Sequence, residues 1–401
     1  MFGRSSDSRN SITIVVQNDD IVGTVRFEDK LYRIRPLGNG QQALILVDES
    51  AFPPEDPPEL NQLQGQADDD GSVIDVIVAY TPEAAAEAGN ISALIQLAID
   101  ETNQSYANSD ISPRLQLVHR YRTDYNDSGD HGTDLNRFRN PSDGYMDEVH
   151  GLRDDYGADI AVLMTGRSNY CGVAYLYASE STAFAVVAQN CATGYYTFGH
   201  EIGHLQGAAH NPEVATNTRF PYGHGFCYPP GNFRTIMSYD SGCSKRIQYW
   251  SNPDKTQPGS NVALGTESTH DNARLLNETA LRMANFRPGR TVTLKNDTTH
   301  RLLLSTGQPP TGSEGGWVNS PPVVGADANY YERAKWSLTK SGEGYFLKNK
   351  ETNRYLFSTG QPPTGSEGGW VNSPPIVGTD ANYYGRAKWT ISGPGTSVLD
   401  P

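Results

Sequence analysis

Apolar and polar residues alternate in several short stretches of the first 50 positions, and a period of two is typical of half-buried β-strands. Turn-forming residues separate these stretches, so the pattern predicts strands over 11–16, 23–27, 30–35 and 43–47. A proline-rich stretch, 52–58, and a polar stretch, 61–71, then predict an extended linker. Residues 1–67 therefore read as a small β unit with its linker, an arrangement typical of a pro-region.

Between residues 72 and 288 the pattern changes to alternating strands and helices. Continuous apolar runs predict buried strands over 73–80, 115–121, 158–164 and 183–188. Apolar residues at intervals of three and four predict helices over 90–109, 145–156 and 270–286, with another helix that starts near Tyr196. We expect 183–188 to be the edge strand along which an extended peptide could pair.

Residues 290–401 contain an internal repeat and are predicted to be all-β. The segment 305–317 recurs nearly unchanged as 358–370, and Ala334-Lys335-Trp336 returns as Ala387-Lys388-Trp389. The repeat resembles that of a β-trefoil of the lectin or fascin kind, but that fold has three copies and this chain has two. The domain is therefore incomplete, or it closes by dimerising. Exposed tryptophan, tyrosine and asparagine would suit a glycan or surface ligand; the alternative is a repeat kept for stability alone.

Length and charge limit the classes of protein. A chain of 401 residues predicts two or three domains. A formal net charge of −14 argues against nucleic acid or an anionic membrane as a partner. No apolar run approaches the roughly 20 residues of a membrane-spanning helix. The first residues lack a basic region followed by an apolar core, so we expect a secreted protein whose leader is absent from this sequence.

The strongest chemical signal is the pattern H-E-x-x-H-x-x-G-x-x-H between His200 and His210. His200 and His204 are four residues apart and share one face of a helix, where both can bind one zinc ion. Glu201 is placed to act as a general base. Gly207 can end the helix in a left-handed conformation, which allows His210 to return to the same metal. Three nitrogen ligands with an open position are typical of a catalytic zinc site.

A methionine follows this motif within the turn candidate 235–239. Together the two elements resemble the metzincin class of zinc endopeptidases, in which a methionine-containing turn lies under the three-histidine site. The resemblance implies an α+β catalytic domain with three helices over one mixed sheet and Met237 beneath the zinc. It also implies that Tyr239 stabilises the oxyanion.

Over residues 70–288 the chain most resembles the bacterial peptidyl-Asp metalloendopeptidases. Two stretches carry this likeness, 190–200 before the motif and 248–253 after the methionine. Asn211 departs from the acidic residue that some metzincins carry after the third histidine. The resemblance implies protein or peptide substrates and one catalytic Zn²⁺, and it leaves calcium binding open.

Four cysteines lie in the half of the chain that carries the zinc motif: Cys171, Cys191, Cys227 and Cys243. They allow three pairings, and none is spaced as in a zinc knuckle. Short loop closure favours Cys171–Cys191 and Cys227–Cys243, each stabilising by roughly 3 kcal/mol. Free buried thiols are the alternative, but an extracellular protease favours disulfides.

The segment 244–249 offers a basis for specificity. In metzincins the segment after the methionine turn forms one side of the pocket that binds the residue after the scissile bond. Arg246, and secondly Lys245, could pair there with an acidic side chain. This predicts cleavage on the amino side of Asp, and by extension Glu; the alternative is a solvated pair of cations on a loop.

Such an enzyme would find a substrate in its own linker at Asp68, Asp69 and Asp70. We therefore predict that residues 1–67 are removed by self-cleavage there. These residues contain no cysteine, so a carboxylate such as Glu55 or Asp56, or steric cover, would have to block the zinc. The alternative is a permanent N-terminal domain on a stiff linker.

Two other functions compete with a protease. The first is a binding protein that keeps a zinc motif without catalysis, which the intact Glu201 and Tyr239 argue against. The second is an adhesin or lectin-like protein whose main function lies in residues 290–401.

Overall fold

The computed structural model describes residues 2–4, 10–54, 59–60, 73–216 and 218–287, together with short strands between 290 and 389. Within these residues, no helix combines the length and the apolar character that a membrane crossing requires.

The N-terminal residues form a five-stranded antiparallel meander in the order β1-β2-β3-β4-β5. Its strands are β1 (Phe2–Arg4), β2 (Ser11–Gln17), β3 (Asp20–Phe27), β4 (Lys30–Gly38) and β5 (Gln41–Val47). Three two-residue turns with positive φ connect β2 to β5: Asn18-Asp19, Glu28-Asp29 and Asn39-Gly40. Such turns match the twist of the paired strands, which explains why asparagine, aspartate and glycine separate the alternating stretches.

A six-stranded mixed sheet forms the centre of the molecule, in the order β6-β10-β11-β9-β7-β8. Its strands are β6 (Glu59–Leu60), β7 (Val73–Tyr80), β8 (Arg114–Arg122), β9 (Ile160–Thr165), β10 (Gly172–Leu176) and β11 (Phe184–Ala188). All residues of β9 and β11 are buried, as expected of inner strands that are covered on both faces.

The prediction that residues 183–188 form the edge strand is wrong. Strand β11 pairs with β10 on one side and with β9 on the other. The edge strand of the catalytic region is β10, which runs antiparallel to β11. The two-residue linker strand β6 pairs in parallel with its other side and is the outermost strand of the sheet. The apolar pattern could not distinguish an inner strand from an edge strand, and the short β10 was not predicted.

Seven α-helices lie in the described residues, which is more than the three that the resemblance implied. They are α1 (Pro82–Ala88), α2 (Ile91–Asn108), α3 (His131–Arg139), α4 (Glu148–Tyr156), α5 (Gln189–Ala192), α6 (Thr197–Gln206) and α7 (Asn272–Met283). The predicted helices correspond to α2, α4, α6 and α7. Helix α3 was missed because it is mostly polar, although Asp130 caps its first turn.

Short strands and one of the two disulfides, Cys227–Cys243, organise the segment after α6. The strands are β12 (Cys227–Tyr228), β13 (Phe233–Arg234), β14 (Lys245–Arg246), β15 (Asn252–Thr256) and β16 (Ala263–Leu264). The structure pairs Cys171 with Cys191 and Cys227 with Cys243, at Cα–Cα distances of 5.5 and 5.9 Å. These are the two pairings that short loop closure favours.

The described C-terminal residues are all β. They comprise β17 (Arg290–Thr293), β18 (Leu304–Ser305), β19 (Val318–Asn319), β20 (Lys335–Ser341), β21 (Gly344–Asn349), β22 (Phe357–Ser358), β23 (Val371–Asn372) and β24 (Lys388–Trp389). The two copies of the repeat pair alike, β18 with β19 and β22 with β23. Trp336 is fully buried, so this repeat tryptophan is a core residue and not the exposed one expected. Most of 305–317 and 358–370 lies outside the described residues, and a closed trefoil is not confirmed.

Candidate active site

Three imidazoles converge at one buried point. Nε2 of His210 lies 3.0 Å from Nε2 of His200 and 3.0 Å from Nε2 of His204. All three side chains are at most 2% exposed. Helix α6 carries the first two histidines one turn apart, and Gly207, with φ of 114°, ends the helix in the left-handed region. The chain then turns back, and this brings His210 to the other two rings.

The outer nitrogens of two rings are fixed by backbone carbonyls. Nδ1 of His200 donates to Ile236 O at 2.9 Å, and Nδ1 of His204 donates to Ala208 O at 2.8 Å. Because a carbonyl only accepts, each Nδ1 carries the proton and each Nε2 presents a lone pair inward. Burial lowers the pKa of His200 well below its usual value of 6.5, and the charges of His204 and Arg246 lower it further. The neutral His200 ring is therefore in the state that binds a metal.

The donor set fits zinc. Lone pairs that face one another at 3.0 Å repel unless a cation lies between them. A zinc ion with bonds of about 2.1 Å at tetrahedral angles holds its ligand nitrogens roughly 3.4 Å apart, which is close to the spacing here. Within the described part of the chain, this is the one group of three or more histidine, cysteine or acidic side chains whose ligand atoms converge for a metal.

Glu201 is fully buried beside the edge strand. A Cβ atom at Gly172, the first residue of β10, would lie 2.5 Å from Glu201 Oε1 and 2.7 Å from Glu201 Cγ. Only glycine leaves room for this carboxylate at its observed position. Sequence analysis missed Gly172 because β10 was not predicted, and nothing in a lone glycine indicates the neighbour that it accommodates.

Met237 and Trp250 support the zinc helix from below, and both are fully buried. A Cβ at Gly203 would lie 2.7 Å from the Trp250 ring and 3.0 Å from Met237 Sδ, so the glycine lets both side chains approach the helix backbone. Nε1 of Trp250 donates to Ser105 Oγ at 2.8 Å, which satisfies its buried N–H. The methionine thus lies under α6.

Tyr239 stacks on the third histidine, with ring centroids 3.9 Å apart and an interplanar angle of 34°. The side chain of Asn211 holds the tyrosine backbone. Its Oδ1 accepts from Tyr239 N at 3.0 Å, and its Nδ2 donates to Ser241 Oγ at 3.0 Å. An acidic residue at 211 would provide the acceptor but not this donor, so Asn211 gives the methionine turn an anchor that the sequence did not reveal.

Three basic residues, Arg234, Lys245 and Arg246, line a cleft of about 810 Å³ together with Tyr195 and Tyr239. We call these three the cationic wall. Strands β13 and β14 pair in parallel and bring Arg234 beside Arg246. Arg246 is 1% exposed, donates to Tyr195 O at 3.0 Å and lies 4.2 Å over the Tyr195 ring. Arg234 also contacts this ring and donates to Tyr195 Oη at 3.1 Å. Tyr195 was not singled out from the sequence.

The linker covers this cleft. Phe52 stacks on Tyr195 with centroids 4.2 Å apart, and Cys171 N donates to Pro54 O at 2.8 Å. Further on, β6 pairs with Tyr175 and Leu176 at the far end of β10. Lys245 of the cationic wall forms a salt bridge with Asp29, which lies in the turn between β3 and β4. The N-terminal residues therefore lie against both the edge strand and the cationic wall.

Comparison with known proteins gives a consistent picture. A model of the metallo-peptidase family M12 matches residues 70–251. The peptidyl-Asp metalloendopeptidase of Stenotrophomonas maltophilia is 42% identical over 302 residues, which is 70% of this chain and 72% of that one. The protein of the same name from Xanthomonas campestris is 42% identical over 300 residues, 70% of this chain and 71% of that one. The one from Pseudomonas fragi is 34% identical over 191 residues, 47% of this chain and all of that one.

Proposed function

Since the chain belongs to the peptidyl-Asp metalloendopeptidase family, we propose that it is a zinc endopeptidase that cleaves peptide bonds on the amino side of aspartate. The observation that carries the proposal is the convergence of three buried histidine nitrogens beside a buried glutamate. Family membership supports the metallopeptidase activity, and the names of the relatives support aspartate as the residue recognised.

A zinc ion bound to His200, His204 and His210 would supply a Lewis acid that acidifies a water molecule and polarises the scissile carbonyl. Glu201 follows the first ligand on the same helix. It accepts the proton of the attacking water and returns it to the nitrogen of the leaving amine. Burial of this carboxylate keeps bulk water away from the proton transfer and strengthens its interaction with the reacting groups. Gly172 keeps open the space in which Glu201 lies.

Tyr239 is the proposed donor to the oxyanion. Its ring stacks on His210, so the phenol lies on the side of the site that the third ligand defines. Asn211 fixes the backbone of Tyr239 and limits the positions that the ring can take. A pre-oriented phenol stabilises negative charge as it develops and needs no reorganisation during the reaction.

Arg246 is the proposed partner of the substrate aspartate, with Lys245 at the rim. Arg246 lines the same cleft as Tyr239, whose ring stacks on the metal-ligand candidate His210. Its donation to Tyr195 O and its position over the tyrosine ring hold it in one orientation. Lys245 is 22% exposed and already contacts a carboxylate, that of Asp29. A fixed guanidinium behind a more mobile ammonium suits a short acidic side chain.

Proteolysis of casein tests the activity. Wild-type protein loaded with zinc should degrade casein, and adding a chelator should stop it. Restoring zinc should restore activity, which separates metal removal from denaturation. Activity that persists after complete metal removal would contradict a metal-dependent mechanism, and no activity in the matured wild type would favour the non-catalytic alternative.

We also propose that residues 1–67 are a pro-region, that 72–288 form the catalytic domain and that 290–401 form a repeat module. The relative from Pseudomonas fragi supports the middle unit, because its whole sequence matches only 191 residues of this chain. The cover that Phe52 and Pro54 form over the cleft supports an inhibitory role for the linker. Glu55 and Asp56, the expected blocking carboxylates, lie outside the described residues, as do Asp68, Asp69 and Asp70.

Maturation can be tested by incubating the wild type and Glu201→Gln separately and sequencing the new N-termini. Self-cleavage predicts a new terminus at Asp68, Asp69 or Asp70 in the wild type alone. Processing of the pure inactive variant at the same bond would show that another protease makes the cut.

Secretion and a surface ligand of the repeat module are further proposals. The two disulfides are expected in an oxidising compartment, and the named relatives are bacterial. A glycan array probed with the full chain, beside a chain that ends at residue 288, tests the lectin-like alternative. Binding that disappears with the repeats would support it, and equal binding by both chains would argue against it.

A further inference from the structure

One face of the N-terminal sheet carries an unusual set of side chains. Thr24 and Arg26 lie two apart on β3, and Arg33 and Arg35 lie two apart on β4. Thr24 is paired with Arg33, and Arg26 is paired with Leu31. Directly paired and alternate residues share a face, so these five side chains form one surface, which we call the arginine face.

The arginine face docks on the segment 190–196, which leads directly into the zinc helix. Arg33 donates to the carbonyls of Asn190 and Thr193, and Arg35 donates to Thr193 Oγ1 at 3.2 Å. Arg26 donates to Gly194 O at 3.0 Å. The bonds from Arg26 and Arg33 satisfy backbone carbonyls of the short helix α5 and of the turn that follows it.

A buried carboxylate of the catalytic region anchors the contact. Glu101 on α2 is 2% exposed, accepts from Thr24 Oγ1 and accepts from Gly194 N at 2.7 Å. Burial raises the pKa of Glu101, and the charges of Arg35 and Arg33, both of the N-terminal sheet, act against this rise. Loss of this sheet would leave a buried acidic group without those cations, which is costly.

Apolar packing accompanies the polar contacts. Leu31 is fully buried, and a Cβ at Gly194 would lie 2.8 Å from its Cδ1, so the glycine accommodates the leucine. Val22 is also fully buried and belongs to the main core cluster of the catalytic region. Burial lowers the pKa of Arg33 to about 9, helped by the charge of Arg35, and burial lowers the pKa of Arg35 to about 10. By solvent exposure both arginines are half-buried where they contact the segment 190–196.

The positions of these contacts along the chain matter for activation. The sheet ends at residue 47, Phe52 and Pro54 then cover the cleft, and β6 follows on the far end of β10. The cut proposed at Asp68, Asp69 or Asp70 lies after all of them. Cleavage there would leave the covering segment attached to a sheet that is itself still docked.

We propose that the arginine face is a noncovalent binding surface for Glu101 and residues 190–196, and that it keeps the N-terminal region bound in the cleft after the linker is cut. Activation then needs a second event, the removal of the bound N-terminal region. The second activation event rests on the proposed function. The binding of the arginine face to Glu101 and residues 190–196 does not depend on catalysis.

The experiment uses the full chain with a recognition site for an unrelated protease inserted between residues 61 and 67. The Glu201→Gln substitution in this chain prevents self-cleavage, so retention is measured apart from activity. After the cut, size-exclusion chromatography at micromolar concentration should show the N-terminal fragment eluting with the remainder. In the same chain with Glu201 intact, activity after the cut should stay low and should rise on dilution or on degradation of the fragment.

Substitutions on both sides of the interface keep the test decisive. Arg33→Ala with Arg35→Ala leaves the catalytic region unchanged and should weaken retention by at least about tenfold. Glu101→Gln should do the same from the other side if the double variant does not fold. Lys30→Ala is the matched control, because this exposed lysine precedes Leu31 and projects from the opposite face. A wild-type fragment that separates at once, or that separates as readily as in the double variant, would overturn the proposal.

Discussion

The metal-binding side of the cleft and the cationic wall are built in different ways. The three histidines lie within eleven consecutive residues, and the outer nitrogens of two of them bond to backbone carbonyls of the catalytic region. The cationic wall instead draws on distant segments: Tyr195 contacts two of its arginines, and Lys245 contacts Asp29 of the N-terminal sheet. In the function proposed above, the catalytic region therefore holds the chemistry by itself, whereas the N-terminal region controls access to the cationic wall.

The largest expected effect comes from a substitution on the metal-binding side of the cleft. Glu201→Gln removes the general base but no metal ligand, so the protein should keep stoichiometric zinc. Activity should fall by about 10³-fold or more, near the upper range for general acid–base catalysis. Metal analysis beside casein hydrolysis checks both points, and a variant that loses zinc together with activity would show that Glu201 supports the site structurally.

Gly172→Ala should have the next largest effect, because its new Cβ would overlap the Glu201 carboxylate. A small displacement of the base should lower kcat/KM by about 10- to 100-fold while zinc stays bound. Gly151→Ala is the control, since a Cβ there meets nothing within 4 Å and the residue lies inside helix α4. Equal activity of the two variants would mean that Glu201 does not need its observed position.

Substitutions in the cationic wall should change the preference of the enzyme for aspartate after the scissile bond. Arg246→Ala should lower the preference for aspartate over alanine after the scissile bond by about 10- to 100-fold, the contribution of a lost charge-assisted hydrogen bond. Lys245→Ala should lower it by no more than about fivefold, since its partly exposed charge is screened. Paired peptides that differ only at this position give the ratio. If Arg246→Ala folds and keeps the full preference, another residue recognises the acid.

The smallest expected effect comes from substituting Met237, which lies under helix α6. Met237→Leu conserves volume, so the stability loss should stay below about 1.5 kcal/mol and the zinc content should not change. Thermal unfolding followed by calorimetry, with metal analysis, measures both. Loss of zinc in this variant would show that the methionine does more than fill the space under α6.

The same division explains what the sequence could predict. The zinc ligands were predictable because spacing on a helix and one glycine determine their geometry locally. The prediction of the edge strand was wrong because β10 and β11 are both short and apolar, and only their pairing distinguishes them. Gly172, Asn211 and Tyr195 were missed because their importance comes from neighbours that are distant in sequence. The docking of the arginine face was missed for the same reason.

Cleavage-site profiling on a proteome-derived peptide library tests the central claim most directly. Matured, zinc-loaded enzyme should yield new N-termini that begin overwhelmingly with aspartate, with glutamate second, and a chelated sample should yield none. A metal-dependent set of cuts with no enrichment of acidic residues after the scissile bond would contradict the account of the cationic wall. Cuts that persist in the chelated sample would contradict the account of the metal site.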